Sequence, residues 1–299
     1  MGSLTRREIL RGASLVGLTG LGGGSLASIL GACGGSTAPV GAPAPSSAAT
    51  SAAVPNYREL QFSASDSAYT LPGAATAGLT AVTLTNTGTS THQLAFRKLK
   101  PGKTLADFQT ALKNAPLTSF DLVDDLGGVI SPAPGSTKQV VIDLLAGDYV
   151  LVSRGPEVAQ GLIAPFAVAG GNASDLPIPA AALTVTLRDG VPAAVPSAVK
   201  AGMQIWEIHG DGPLHHHLAM GLMNPGATIG DVERWLTARQ GPAPFVGAGG
   251  MHILSPGKRG WAYLNLAPGS YVGWCDLPGP KAGQDHLVDG HEIVTFTVS

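Results

Sequence analysis

An internal repeat that spans most of the chain constrains its fold more than any other feature. Two segments, 82–112 and 127–153, recur about one domain length later as 206–236 and 249–275, with their turn residues in register. Solenoid repeats are much shorter, about 20–50 residues. The sequence therefore predicts two copies of one whole domain.

Each copy contains alternating segments typical of strands and one segment with a helical period. The alternating segments of the N-terminal copy are bounded by Gly, Pro, Asn and Asp, and they read LTAVTLTN, THQLAF, KQVVIDL and DYVLVS. The helical segments, TLADFQTALKNA and TIGDVERWLTARQ, each begin with a threonine that has an aspartate three residues later, close to a capping box. Several strands with one helical insertion predict an all-β fold with a β-sandwich in each copy.

The first 56 residues differ in composition from the rest and predict export. Residues 1–33 contain the pair Arg6 and Arg7, then an apolar glycine-rich run that ends in LGAC at Cys33. This segment resembles a twin-arginine signal peptide with a lipobox, which implies lipid attachment to Cys33. Residues 34–56 are of low complexity and predict a flexible linker. We therefore expect an exported lipoprotein anchored to the cell membrane on its extracytoplasmic face.

The remaining chain divides at the sequence AGGNASDLPIPAA. We predict an N-terminal domain over residues 57–170 and a C-terminal domain over residues 178–299, called the N-terminal and C-terminal copies below. Only 13% of the residues are charged and the formal net charge is −2. This composition lacks the basic surface that binding to nucleic acid requires.

One cysteine and three histidines of the C-terminal copy are candidate ligands. Once Cys33 carries lipid, Cys275 has no sulfur partner, which leaves an intermolecular disulfide, a reactive thiol, a metal ligand or an inert buried thiol. His216 precedes Cys275, whereas His286 and His291 follow it. Two imidazoles and one thiolate form a trigonal set that suits copper, with a weaker fourth ligand.

Strand periodicity predicts where the histidines of LHHHLAM point. Side chains alternate between the two faces of a strand, so His216 shares the core face with Leu218. His215 and His217 then point outward, and we expect them, like His252, at surface or loop positions.

The ligand order in the C-terminal copy resembles that of the cupredoxin family, the plastocyanin and azurin type. In that family an early inward histidine is completed by a late loop that carries a cysteine, a histidine and an axial residue between the last two strands. The resemblance implies two tandem cupredoxin-like Greek-key β-sandwiches, each with a short helical insertion. It also implies one copper per chain, held by His216, Cys275 and His286 with His291 in the axial position. The N-terminal copy has Ser153 in place of the cysteine and is expected to be metal-free.

Other functions stay open beside one-electron transfer to an unidentified redox partner protein. Cysteine with three histidines is also an acceptable zinc set, and a cupredoxin-like domain can serve as a metal-free binding module. A copper oxidase or reductase fits less well, because multicopper oxidases carry a His-Cys-His run whereas Cys275 is flanked by Trp274 and Asp276. We therefore predict an electron carrier and no catalyst.

Overall fold

The structure of the protein is a computed structural model that describes most of the chain after the predicted linker. It describes residues 57–153, 162–171, 176–279, 286–287 and 291–299. The predicted signal peptide, lipidation site and linker lie outside the described residues. None of the helices in the described ranges is long and apolar enough to cross a membrane.

Strands dominate the described residues, as the alternating segments predict. Those of the N-terminal copy are β1 (Arg58–Ala64), β2 (Tyr69–Thr70), β3 (Ala75–Thr76), β4 (Gly78–Asn86), β5 (Leu94–Leu99), β6 (Val123–Val129), β7 (Thr137–Leu144), β8 (Gly147–Val152) and β9 (Ile163–Ala169). Those of the C-terminal copy are β10 (Leu183–Leu187), β11 (Ala198–Val199), β12 (Gly202–Gly210), β13 (His216–Met223), β14 (Phe245–Leu254), β15 (Arg259–Leu266), β16 (Gly269–Trp274) and β17 (Ile293–Val298). The helices are α1 (Leu105–Asn114), a 3-10 helix (Pro116–Leu122) and α2 (Ile229–Ala238).

The two predicted helices begin where their caps predict. The side chain of Thr104 accepts a hydrogen bond from the backbone N–H of Asp107 at 3.1 Å, and Thr228 accepts one from Asp231 at 3.3 Å. In both helices the aspartate bonds back to the threonine N–H, which completes a capping box. The all-β prediction with a helical insertion in each copy is confirmed.

The strands form two sheets, and each sheet runs through both copies. The seven-stranded sheet has the order β10-β12-β15-β7-β4-β1-β2, and the ten-stranded sheet has the order β11-β17-β16-β13-β14-β6-β5-β8-β9-β3. The copies therefore meet edge to edge, through β15 against β7 and β14 against β6. The described residues accordingly fall within one compact unit. The division into two domains stays a prediction.

The core lies between the two sheets, as in the cupredoxin-like β-sandwich that the sequence resembles. In the N-terminal copy Phe62 of β1 meets Phe96 of β5, with ring centroids 5.6 Å apart. In the C-terminal copy Trp206 of β12 meets Phe296 of β17 at 5.7 Å. Each copy therefore closes its sandwich with an aromatic pair that joins one sheet to the other.

Strand β13 is buried on both of its faces, which corrects the prediction for two histidines. Leu218 belongs to the core between the sheets, whereas Ala219 packs in a second apolar cluster with Val232 of α2. Because the second face is also covered, His217 is 6% exposed, and His252 on the neighbouring strand β14 is 2% exposed. The prediction that these two histidines occupy surface or loop positions is wrong.

Candidate metal centre

Three of the predicted ligands come together at one end of the ten-stranded sheet, where they join a glutamate. One donor atom from each of His216, Cys275, His286 and Glu292 lies within 4.8 Å of the others. His216 begins β13, Cys275 directly follows β16 and Glu292 directly precedes β17, three strands that are neighbours in the sheet. All four residues are buried, with exposures of 0 to 5%.

Backbone hydrogen bonds beyond the strand ends fix the positions of these residues. The N–H of Cys275 donates to the carbonyl of Glu292 at 3.0 Å, and the N–H of Glu292 donates to the carbonyl of His286 at 3.0 Å. The N–H of His286 in turn donates to the carbonyl of Leu277 at 2.9 Å. Three of the four donors are thus joined through main-chain bonds as well as through their side chains.

The carboxylate of Glu292 lies between the two imidazoles. Its Oε2 atom is 3.2 Å from Nδ1 of His216 and 3.1 Å from Nδ1 of His286, and its Oε1 atom accepts a hydrogen bond from the N–H of Gly190. Burial alone would raise the pKa of Glu292, but the hydrogen bonds from the two histidines lower it to about 2. Glu292 is therefore ionised at neutral pH.

His216 has a carboxylate at each of its ring nitrogens. Its Nε2 atom lies 2.8 Å from Oδ1 of Asp189, on the side opposite to Glu292. Burial lowers the pKa of His216, but the two carboxylates raise it by more, so the net shift is upward. An aspartate bonded to the outer nitrogen fixes the ring and leaves Nδ1 as the atom that faces the cluster.

The thiol of Cys275 lies in mostly apolar surroundings. It forms an apolar cluster with Ile253 and Leu277, and burial raises its pKa well above the usual value. Its sulfur is 3.5 Å from Nδ1 of His286 and accepts a weak hydrogen bond from the N–H of His217 at 3.5 Å. A nearby cation would reverse the cost of ionising this thiol.

The second ring nitrogen of His286, the one that is not bonded to Glu292, is also buried. Nε2 of His286 is shielded from solvent and lacks a partner among the described residues. Buried polar atoms are nearly always satisfied, so this nitrogen is an exception among the described residues, and it lies on the side of the ring away from Glu292.

The structure does not bring His291, the predicted fourth ligand, into this group. Its side chain is exposed and its backbone is left-handed, with φ at 52°. Phe296 and Val298 of β17 are buried at alternate positions, and counting back in steps of two leads to Glu292. Glu292 therefore points inward beside His216, Cys275 and His286, whereas the side chain of His291 is exposed.

The N-terminal copy keeps part of the same arrangement without the same donors. Nε2 of His92 lies 3.0 Å from Oδ1 of Asp66, as His216 lies beside Asp189. The N–H of Ser153 donates to the carbonyl of Leu162 at 3.0 Å, as Cys275 donates to Glu292. A hydroxyl and an alkyl side chain thus replace the thiol and the carboxylate.

The donor set fits a transition-metal ion. Two imidazoles with a thiolate are the ligands of mononuclear copper sites, and cysteine, histidine and carboxylate are also zinc ligands. Three of the four donors lie at strand ends of one sheet, and main-chain hydrogen bonds join His286 to Leu277 and Glu292, so the chain presents all four together without a disulfide.

Comparisons with known proteins identify no family. No family model matches the chain, and the search of curated proteins found no match. Among solved structures, dithionite-reduced auracyanin from the photosynthetic bacterium Roseiflexus castenholzii is 12% identical and aligns over 39% of this chain and 95% of its own, with a TM-score of 0.29. A multicopper oxidase is 16% identical over 81% of this chain and 89% of its own, with a TM-score of 0.25. Copper nitrite reductase from Nitrosomonas europaea is 12% identical and aligns over 81% of this chain and 93% of its own, with a TM-score of 0.23.

Proposed function

We propose that the C-terminal copy binds one copper ion through His216, Cys275, His286 and Glu292, and that the protein carries single electrons. The observation that supports this most is the convergence of these buried side chains, which are up to 76 residues apart along the chain. A buried carboxylate, two imidazoles and an unpaired thiol are costly to gather unless a cation joins them.

The residues around the donors support binding through one nitrogen of each histidine. Both Nδ1 atoms already face the shared carboxylate of Glu292, and Asp189 holds the outer nitrogen of His216. In the metal-free protein these nitrogens share protons with the carboxylate, so a metal would replace those protons. When bound, copper would accept and release one electron.

The burial of the donors favours electron transfer over catalysis at the metal. Each donor residue is at most 5% exposed, and main-chain bonds hold three of them. Electron transfer needs no substrate to reach the ion, whereas catalysis needs an open position. Donors fixed in a sheet also change position little when the charge of the ion changes.

Zinc is the second candidate, and Glu292 is the observation that favours it. A carboxylate is a harder ligand than the thioether that often completes copper sites, and it completes a tetrahedral zinc set readily. Such a site would be structural and colourless.

A copper titration of residues 57–299 tests the proposal. We expect one equivalent of Cu(II) to produce a strong visible sulfur-to-copper band that Cys275→Ser abolishes. Ser153→Ala is the matched control, because Ser153 occupies the equivalent position in the N-terminal copy, and it should retain the band. Failure to bind copper, or a band that survives Cys275→Ser, would contradict copper ligation by this thiol; tight zinc binding alone would favour the second candidate.

Export and anchoring complete the proposed function. We propose that residues 1–33 direct export, with Arg6 and Arg7 as the recognition pair, and that lipid on Cys33 holds the body at the extracytoplasmic face of the cell membrane. There it would exchange electrons with a partner protein. Incorporation of labelled fatty acid into the wild type, but not into Cys33→Ala, is the expected result; equal labelling of both would refute the anchor.

A further inference from the structure

A phenylalanine of the N-terminal copy reaches the surroundings of Cys275. The ring of Phe120, on the 3-10 helix, packs against the apolar cluster that Ile253, Cys275 and Leu277 form in the C-terminal copy. The same ring lies 4.9 Å from the imidazole of His215, the residue that precedes the candidate ligand His216. Phe120 of the N-terminal copy thus packs beside Cys275 and against the residue next to His216.

A buried ion pair holds this ring in place. The guanidinium of Arg97 lies 4.6 Å from the ring centroid of Phe120 and donates two hydrogen bonds to Asp125, at 2.6 and 3.0 Å. Asp125 is tied to the C-terminal copy, since its N–H donates to Oγ of Ser255 at 2.8 Å and its carbonyl accepts from the N–H of Ser255. The position of Phe120 is therefore set by contacts that cross the junction between the copies.

Gln93 of the N-terminal copy forms a second contact across the junction, a hydrogen bond with His252 of the C-terminal copy. The N–H of Ile253 donates to Nδ1 of His252 at 2.7 Å, so Nε2 carries the proton and donates to Oε1 of Gln93, also at 2.7 Å. The ring of His252 lies edge-on to that of His217, with centroids 6.3 Å apart. His217 is the residue whose backbone N–H donates to the sulfur of Cys275.

We propose that the N-terminal copy forms an outer wall of the metal centre, in which Phe120 and Gln93 are positioning residues for Cys275. Phe120 excludes water from the apolar side of the sulfur, and Gln93 orients His252 and thereby the segment that donates to the sulfur. Apolar packing and hydrogen bonding around a cysteine ligand tune the reduction potential of a copper site. The inference rests on the proposed copper site. It gives the N-terminal copy, which lacks the donors, a role in the site of the C-terminal copy.

Four variants of the full chain test this role. Phe120→Ala removes the ring, and Leu122→Ala is its matched control, since Leu122 lies on the same helix but packs within the N-terminal copy's own cluster. Gln93→Met removes the acceptor oxygen at similar length, whereas Gln93→Glu retains an acceptor for His252. If Phe120→Ala does not fold, the two Gln93 variants still test whether the N-terminal copy influences the metal centre.

Two readouts are needed, and the first does not depend on metal. In the apoprotein we expect Phe120→Ala to speed alkylation of Cys275 by iodoacetamide at least about tenfold, which corresponds to about 1.4 kcal/mol less free energy for local opening. In the copper-loaded protein we expect Phe120→Ala and Gln93→Met to change the relative affinity for Cu(II) and Cu(I) about threefold, a shift of about 30 mV for a one-electron couple. Leu122→Ala should stay close to the wild type in both readouts, and Gln93→Glu should stay close to it in the alkylation rate, since the added carboxylate charge by itself shifts the potential.

The outcomes separate this inference from the proposed function. Unchanged alkylation in Phe120→Ala, or unchanged potentials in both Phe120→Ala and Gln93→Met, would overturn the outer wall. A shift of the same size in Leu122→Ala would also overturn it, because the effect would then be general loosening. Absence of copper binding by the wild type would refute the copper site, and the alkylation rates would still decide whether Phe120 shields the thiol.

Discussion

Replacement of Glu292 by glutamine removes the charge that both imidazoles of the cluster face. The carboxylate has its pKa lowered from 4.5 to about 2, so ionised Glu292 stabilises the folded apoprotein. A shift of this size corresponds to about 3 kcal/mol at neutral pH. Because the folded pKa is the lower one, this stabilisation is present above pH 4.5 and is lost as the pH falls toward 2. About 2 kcal/mol of it disappears between pH 6 and pH 3.

Urea unfolding of the apoprotein in the presence of a chelator measures this contribution. The difference in free energy of unfolding between the wild type and Glu292→Gln should be about 2 kcal/mol larger at pH 6 than at pH 3. Subtracting the variant from the wild type removes the effects of the other carboxylates, such as Asp66 and Asp231, which titrate in both proteins. A difference that is the same at both pH values would refute the assignment of Glu292 as the ionised partner of the two histidines.

Three further predictions concern the second carboxylate, proton release and the junction between the copies. Asp189→Ala should weaken copper binding about 10- to 100-fold in a competition titration, since it frees the outer nitrogen of His216, whereas Asp66→Ala in the N-terminal copy should not; equal effects would contradict the role of Asp189. Copper affinity should rise between pH 6 and pH 8, because the raised pKa values of Cys275 and His216 mean that both must release protons; a flat titration profile would argue against ligation by these groups. Arg97→Met should lower the free energy of unfolding by about 3–5 kcal/mol, because it leaves Asp125 buried without its ion pair. Arg188→Met breaks an exposed pair with Asp211 and should cost less than about 1 kcal/mol; similar losses in both arginine variants would contradict the buried pair's importance.

Periodicity and local signals were sufficient to predict much of the secondary structure and part of the site. The two helices were predicted from threonine caps because capping is a local interaction between residues three apart. The inward position of His216 followed from strand alternation, which depends only on the backbone. The same rule applied to EIVTFTV places Glu292 on the face of Phe296, and it could have identified the fourth donor.

Two features could not be predicted from the sequence for physical reasons. The second face of β13 begins with His217, Ala219 and Gly221 and so shows little apolar side chain, yet it is buried because α2 and Ile130 of the N-terminal copy cover it. Likewise, pairing of β7 with β15 and of β6 with β14 depends on which strand edges meet in three dimensions. Alternation specifies the faces of a strand but leaves its edges undetermined.

X-ray absorption at the copper edge, recorded on copper-loaded protein, tests the central claim most directly. One sulfur scatterer together with nitrogen and oxygen scatterers is the expected first shell, and the sulfur should disappear in Cys275→Ser while the nitrogen contribution falls in His216→Ala. A first shell of the wild type that contains only nitrogen and oxygen would show that the thiol of Cys275 does not hold the ion.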